Sequence, residues 1–132
     1  MTRAIGAFEV SLKPLPMDEE PGGEMLGRIS IEKQFHGDLE GTSKGQMLTG
    51  GTAIKNSAGY VAIERVTGSL KGRNGSFILQ HTGLMNRGAP SLVITIVPDS
   101  GTKQLEGIRG TMAIRIEGGK HSYELNYTLG TP

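Results

Sequence analysis

A five-residue unit, Gly-x-aliphatic-x-Gly, recurs along this chain next to runs of alternating residues. It occurs as Gly37-Asp38-Leu39-Glu40-Gly41, as Gly68-Ser69-Leu70-Lys71-Gly72 and, in shortened form, as Leu105-Glu106-Gly107-Ile108-Arg109-Gly110. Glycine lacks a Cβ, so its backbone reaches positive φ and a neighbouring strand can approach it closely. Repeated beside strand-like segments, it marks places where a sheet coils tightly enough to close on itself. Twenty-one glycines, three phenylalanines and no tryptophan in 132 residues argue against a helical bundle, because each interior glycine weakens a helix by roughly 1 kcal/mol relative to alanine. Residues 1–132 are expected to form one domain with one core.

The alternation itself supplies eight strands. From Ala4 to Leu12, Phe8, Val10 and Leu12 alternate with Glu9 and Ser11, the period of a strand with one wet face. The stretch from Lys13 to Gly23 carries three prolines and two glycines and reads as a loop and candidate lid. Met25 to Gly37 alternates Ile29, Ile31 and Phe35 against Arg28, Ser30, Glu32 and Gln34, and Leu39 to Thr49 returns beside it. Tyr60 to Lys71 is followed by Arg73-Asn74-Gly75, where Asn-Gly signals a tight hairpin turn. Gly75 to Met85 pairs back, Ser91 to Pro98 reads as a strand covered on both faces, and Leu105 to Glu117 and His121 to Leu129 complete the set. The expected fold is all-β, a closed eight-stranded antiparallel barrel with an interior wide enough for side chains or one small ligand. A β-sandwich is the alternative, and glycines inside strands favour the barrel.

Composition narrows the chemistry. Fourteen basic and 13 acidic residues give a net charge of +1 with no basic run, so no nucleic-acid partner is expected. The absence of cysteine excludes disulfides, thiolate catalysis and sulfur-ligated zinc. His36, His81 and His121 fall on three different strands without ligand spacing, so no metal is expected. Neither a phosphate-binding loop nor a dinucleotide fingerprint occurs, and no cofactor is expected. With no long apolar segment, the chain is expected to be cytoplasmic and without a membrane partner.

Two strands carry the candidate site. Tyr60, Ala62, Glu64 and Val66 share one face, so Glu64 points inward if that face is the core. Desolvation would then raise its pKa and equip it as a base. Solvation at a barrel rim by Arg65 and Arg115 is the structural alternative. In Ser76 to Gly83 the consecutive Gln80 and His81 guarantee one inward polar group, and the face shared by Phe77, Leu79 and His81 is the drier. Glu64 and His81 are therefore the candidate catalytic residues, and Tyr60, Gln80 and Phe77 the candidate ligand-binding residues. His81 can equally be a hydrogen-bonded core residue. The Asp18-Glu19-Glu20 run reads as solvated loop.

The block from Tyr60 to Glu64 and on through Gly68 to Gly83, followed by Val97-Pro98-Asp99-Ser100-Gly101-Thr102 and Leu105 to Gly110, resembles a bacterial family catalogued as a domain of unknown function. That family is similar in fold to plant allene oxide cyclase, an eight-stranded barrel that cyclises an unsaturated fatty-acid epoxide in its interior and assembles as a trimer. The resemblance implies a barrel with a cavity suited to an apolar or amphipathic molecule. It does not imply the cyclase reaction, because the plant enzyme's cysteine has no counterpart here.

Three functions fit these readings: a barrel binding a small apolar or amphipathic ligand with Glu64, Gln80 and His81 at its polar end, an isomerase or cyclase in which Glu64 or His81 moves a proton, and a filled barrel with a structural role. A homo-oligomer is compatible with each.

Overall fold

Uninterrupted alternation lets each strand bury one face while its edges pair, and the computed structural model shows all eight strands joined edge to edge in a closed antiparallel barrel. It describes residues 1–16 and 25–130. The strands are β1 (Thr2–Leu15), β2 (Leu26–Phe35), β3 (Leu39–Gly51), β4 (Ala58–Leu70), β5 (Arg73–Asn86), β6 (Ala89–Ile96), β7 (Arg109–Glu117) and β8 (Lys120–Thr128), and a 3-10 turn at Lys103–Leu105 precedes β7. Among the described residues no helix is long and apolar enough to cross a membrane. Each strand pairs with the next in sequence, and β8 closes on β1.

Following one row of paired residues around the barrel shows its stagger. The row runs from Ala4 through Leu125, Met112, Ile94, His81, Ala62, Met47 and Ile29 and returns to β1 at Pro14, ten residues on. Such a stagger is what tilts the strands of a closed barrel and sets its width. Gly41, Gly68 and Gly75 lie side by side in a second row across β3, β4 and β5. A Cβ on Gly68 would strike the Glu40 carbonyl and the Gly41 Cα, so this close approach of β3 and β4 is built on glycines of the repeated unit.

Three local expectations are corrected. The β4–β5 turn is not at Asn74-Gly75, which pair with Ser69 and Gly68 inside the ladder. It lies at Lys71-Gly72, with φ of 47° and 84°, the two left-handed positions that a twisted two-residue hairpin requires. The ladder also does not stop at Lys13, because Lys13, Pro14 and Leu15 pair with Ser30, Ile29 and Arg28. The pairing of β1 with β8 ends at Phe8, so Pro14 sits on a strand with one free edge, where a missing N–H is tolerated. Residues 17–23 of the expected lid lie outside the described residues. Finally, β6 is not covered on both faces: only Ile94 and Ile96 of it are buried, since its pairing with β7 is confined to Ile94 with Met112 and Thr95 with Thr111.

The core fills one end of the barrel. Phe8, Phe35, Leu39, Leu70, Phe77, Leu105, Ile108 and Leu125 are buried there. Tyr123 clasps it: the hydroxyl accepts from the Leu39 N–H at 2.9 Å and donates to the His36 carbonyl at 2.8 Å, tying β8 to the β2–β3 turn.

Candidate functional site

Halfway along the lumen, β4 turns Glu64 inward and buries it completely. Its cross-strand partner on β3 is Gly45, where a Cβ would collide with the Ile63 carbonyl and with Glu64 itself. Glycine is the residue that lets β3 lie so close to this carboxylate. Three donors converge on Glu64. Lys33 Nζ from β2 and His81 Nε2 from β5 each lie 2.8 Å from Oε1, and Ser43 Oγ from β3 lies 2.7 Å from Oε2. All three are buried side chains. The Lys33 ammonium also lies 5.2 Å and 5.9 Å from the ring centroids of Phe8 and Phe35, within cation–π range.

These contacts reverse the expected direction of the Glu64 pKa. Burial pushes the carboxyl upward and is the largest single influence, but the His81 hydrogen bond, the charge and hydrogen bond of Lys33 and the Ser43 hydroxyl together outweigh it and hold it at about 2. Glu64 is thus an ionised acceptor rather than a base poised near neutrality. An ionised carboxylate has no proton to give, so the hydrogen on the short His81 contact must belong to Nε2. The neutral imidazole is therefore the Nε2–H tautomer, with a lone pair on Nδ1.

Toward the rim the lumen changes character. Leu12, Met85, Leu92 and Ile116 share the inward register with Glu64 and His81, yet they are 53, 40, 39 and 61 % exposed. Small residues, Ala62 on β4 and Gly83 on β5, occupy inward positions rimward of the carboxylate. Tyr60 lies flat over Gly83, where a Cβ would run into its ring. Its phenol is pushed upward by burial and then by the Glu64 charge, so it stays a neutral donor. The barrel is therefore packed on one side of Glu64, and on the other its inward-facing apolar residues become exposed at the rim.

Of the residues singled out from sequence, Glu64, His81, Tyr60 and Phe77 face the lumen, with Phe77 part of the packed end. Gln80 does not. It is exposed on the outer face, beside a shallow outer groove walled by Leu48, Val61, Ile63 and Ile78, because adjacent strand residues point oppositely. Arg65 and Arg115 do not solvate Glu64: Arg65 reaches Ser76 Oγ at 3.2 Å and Arg115 lies near Glu117 on the surface. Lys33 and Ser43 were missed. Lys33 shares the inward parity of Ile29, Ile31 and Phe35, which is the signal that could have found it. Among the described residues no group of three or more His, Cys, Asp or Glu side chains could hold a metal.

The family described as "Protein of unknown function (DUF3224)" matches residues 4–127. A solved structure from Shewanella oneidensis MR-1, a protein with unknown function from the same family, is 47 % identical with a TM-score of 0.93, over 100 % of this chain and 99 % of that one. No curated protein matches the chain.

Proposed function

The chain belongs to the DUF3224 family, whose description assigns no activity, so the reading rests on the site itself, and we propose that the barrel binds a small amphipathic molecule in the accessible half of its lumen. The observation that supports it is a buried cluster of Lys33, Glu64, His81 and Ser43 at the foot of an apolar funnel. Burying charge is costly and a well-packed apolar core would serve stability as well or better. A polar floor under apolar walls is the arrangement of a ligand pocket, with a few placed polar groups fixing orientation.

Thermal unfolding with decanol, a neutral chain with one polar end, tests this. At a ligand concentration a hundred times Kd the stabilisation is about 2.7 kcal/mol, which for a domain of this size raises Tm by about 10 °C. Ala62→Phe, which places a ring in the funnel, abolishes the shift while the variant still melts cooperatively. No shift with decanol or with longer and shorter homologues refutes the reading.

A proton-transfer enzyme is the second reading, favoured by the short Glu64–His81 contact. Here His81 is the base and Glu64 its partner, since a carboxylate held so low has little affinity for a proton.

A further inference from the structure

Outward residues divide the barrel into two unlike walls. On β7, β8, β1 and β2 the outer face carries charges of both signs, among them Arg3, Glu9, Arg115 and Glu124, with Arg3 Nε 2.7 Å from a Glu124 carboxylate oxygen. On β3 to β6 the pairing sets Leu48, Val61, Thr82 and Val93 in one outward row and Gln46, Ile63, Gln80 and Thr95 in the next. A third row runs Gly50, Gly59, Leu84 and Ser91. No residue of these three rows is charged. Yet Leu48, Val61, Ile63, Leu84 and Val93 are 49–60 % exposed. Apolar residues scattered singly are ordinary on a surface, whereas a contiguous group of them marks a contact.

We propose that this wall is where two copies of the chain associate, face to face about a twofold axis. In such a contact the patch meets itself, so a fixed charge near the axis faces its own image. The three rows hold none. Their polar side chains, Gln46, Gln80, Thr82 and Thr95, each donate and accept hydrogen bonds, so they can pair with their own kind. A foreign partner is commonly selected through complementary charge, and this wall offers none to read. The charges lie at its border: Lys44 and Arg65 pair in the adjoining row, and Arg28 on β2 lies beside Leu48. An apolar, charge-poor centre inside a polar rim is the anatomy of a homodimer interface. The whole chain has a net charge of only +1, so two copies approach with little repulsion.

Shape and area allow the contact. Leu48, Val61, Ile63 and Ile78 wall a shallow groove, and Leu84 and Val93 stand exposed beside it, so each copy offers both a hollow and the side chains to fill one. With strands about 4.8 Å apart and outward residues about 6.7 Å apart along each, three rows on four strands cover roughly 400 Å² of flat wall. Half-exposed side chains rising from it, and the bordering Lys44, Arg65 and Ile78, enlarge the accessible area to about the 600 Å² per copy at which specific interfaces begin. An interface at that lower bound forms in roughly the micromolar range. It lies outside the lumen, so it stands or falls apart from the ligand reading.

Sedimentation equilibrium of the purified chain from micromolar to millimolar concentration, with two wall variants and one control, tests the inference. The native chain is expected to pass from the mass of one chain to that of two. Val61→Lys and Val93→Lys, at outward half-exposed positions, each place an unpaired charge inside the contact and are expected to weaken association at least about a hundredfold. Ile5→Lys puts the same charge on the opposite wall at an equally exposed residue and is expected to leave the dimer unchanged. Methyl NMR of the native chain over the same dilution should move Leu48, Val61 and Val93 and leave Ile5 still. A mass of one chain throughout, a mass above two, association unaltered by both wall variants, or its loss in Ile5→Lys overturns the inference. Should the wall variants fail to melt cooperatively, the methyl shifts of the native chain decide, and stationary wall residues overturn it.

Discussion

Replacing Glu64 by Gln removes the one negative charge among the described contacts of the buried cluster while keeping its shape. Its cost can be worked in two ways. Lowering the carboxyl from an ordinary 4.5 to about 2 corresponds to about 3 kcal/mol, at about 1.4 kcal/mol for each tenfold change in proton affinity. Independently, removing one partner of a buried pair costs roughly 3–5 kcal/mol, because the other charge is left unmatched. The two routes agree, so the expected loss at pH 7 is about 3 kcal/mol. The sign with pH follows from the direction of the shift. The folded carboxyl holds its proton more weakly than the unfolded one, so its stabilisation is complete above about 4.5 and fades as pH falls toward about 2. Urea unfolding of both proteins from pH 7 down to pH 3 measures the difference, which should shrink steadily below pH 5. Lys33→Met added to Glu64→Gln should recover part of the loss, since the unmatched ammonium is then gone. A loss below about 1 kcal/mol at pH 7, the scale of an exposed ion pair, or one independent of pH, would refute the account of a closed, charge-matched cluster.

Tyr123→Phe strands the Leu39 N–H and the His36 carbonyl and should cost about 1–3 kcal/mol by urea unfolding, with the lumen's ligand response unchanged. Gly72→Ala, at a left-handed turn position with open space around it, should cost about 1 kcal/mol. Gly68→Ala, which drives a methyl into the backbone of β3, should cost at least about 2 kcal/mol; equal costs by thermal melts would place the turn wrongly. Alkaline absorbance titration should show Tyr60 ionising above the ordinary value of about 10, and Glu64→Gln should lower it part of the way by removing the nearby charge, the larger effect of burial remaining.

Strand parity made much of this molecule legible from its residues. The inward positions of Glu64 and His81 follow from Tyr60, Ala62 and Val66 on one strand and Phe77 and Leu79 on the other, because period two survives any shift of boundary. The cluster around Glu64 was harder to see. Lys33 stands between Ile31 and Phe35 on an apolar face, and a lysine there is normally read as surface, so a cation that, with His81 and Ser43, holds the Glu64 pKa down was overlooked. Burial of Glu64 stood as one reading beside solvation at a barrel rim, and its electrostatic consequence was not foreseen, since that depends on contacts from β2 and β3 that are distant in sequence. The β4–β5 turn was misplaced for a related reason. Asn74-Gly75 has the local chemistry of a turn, but Gly75 is spent on the close approach to Gly68, and Lys71-Gly72 makes the reversal.

The short seam between β6 and β7 has a reach beyond its two residue pairs. Inside and outside alternate along every strand, so the strands there can re-register only in steps of two residues, and each step would change the pitch of the whole cylinder and thereby its bore. The space available around His81 is thus gauged by Ile94 with Met112 and Thr95 with Thr111. Tailoring the lumen to a bulkier or slimmer guest can begin at that fastening rather than at the walls the guest would touch.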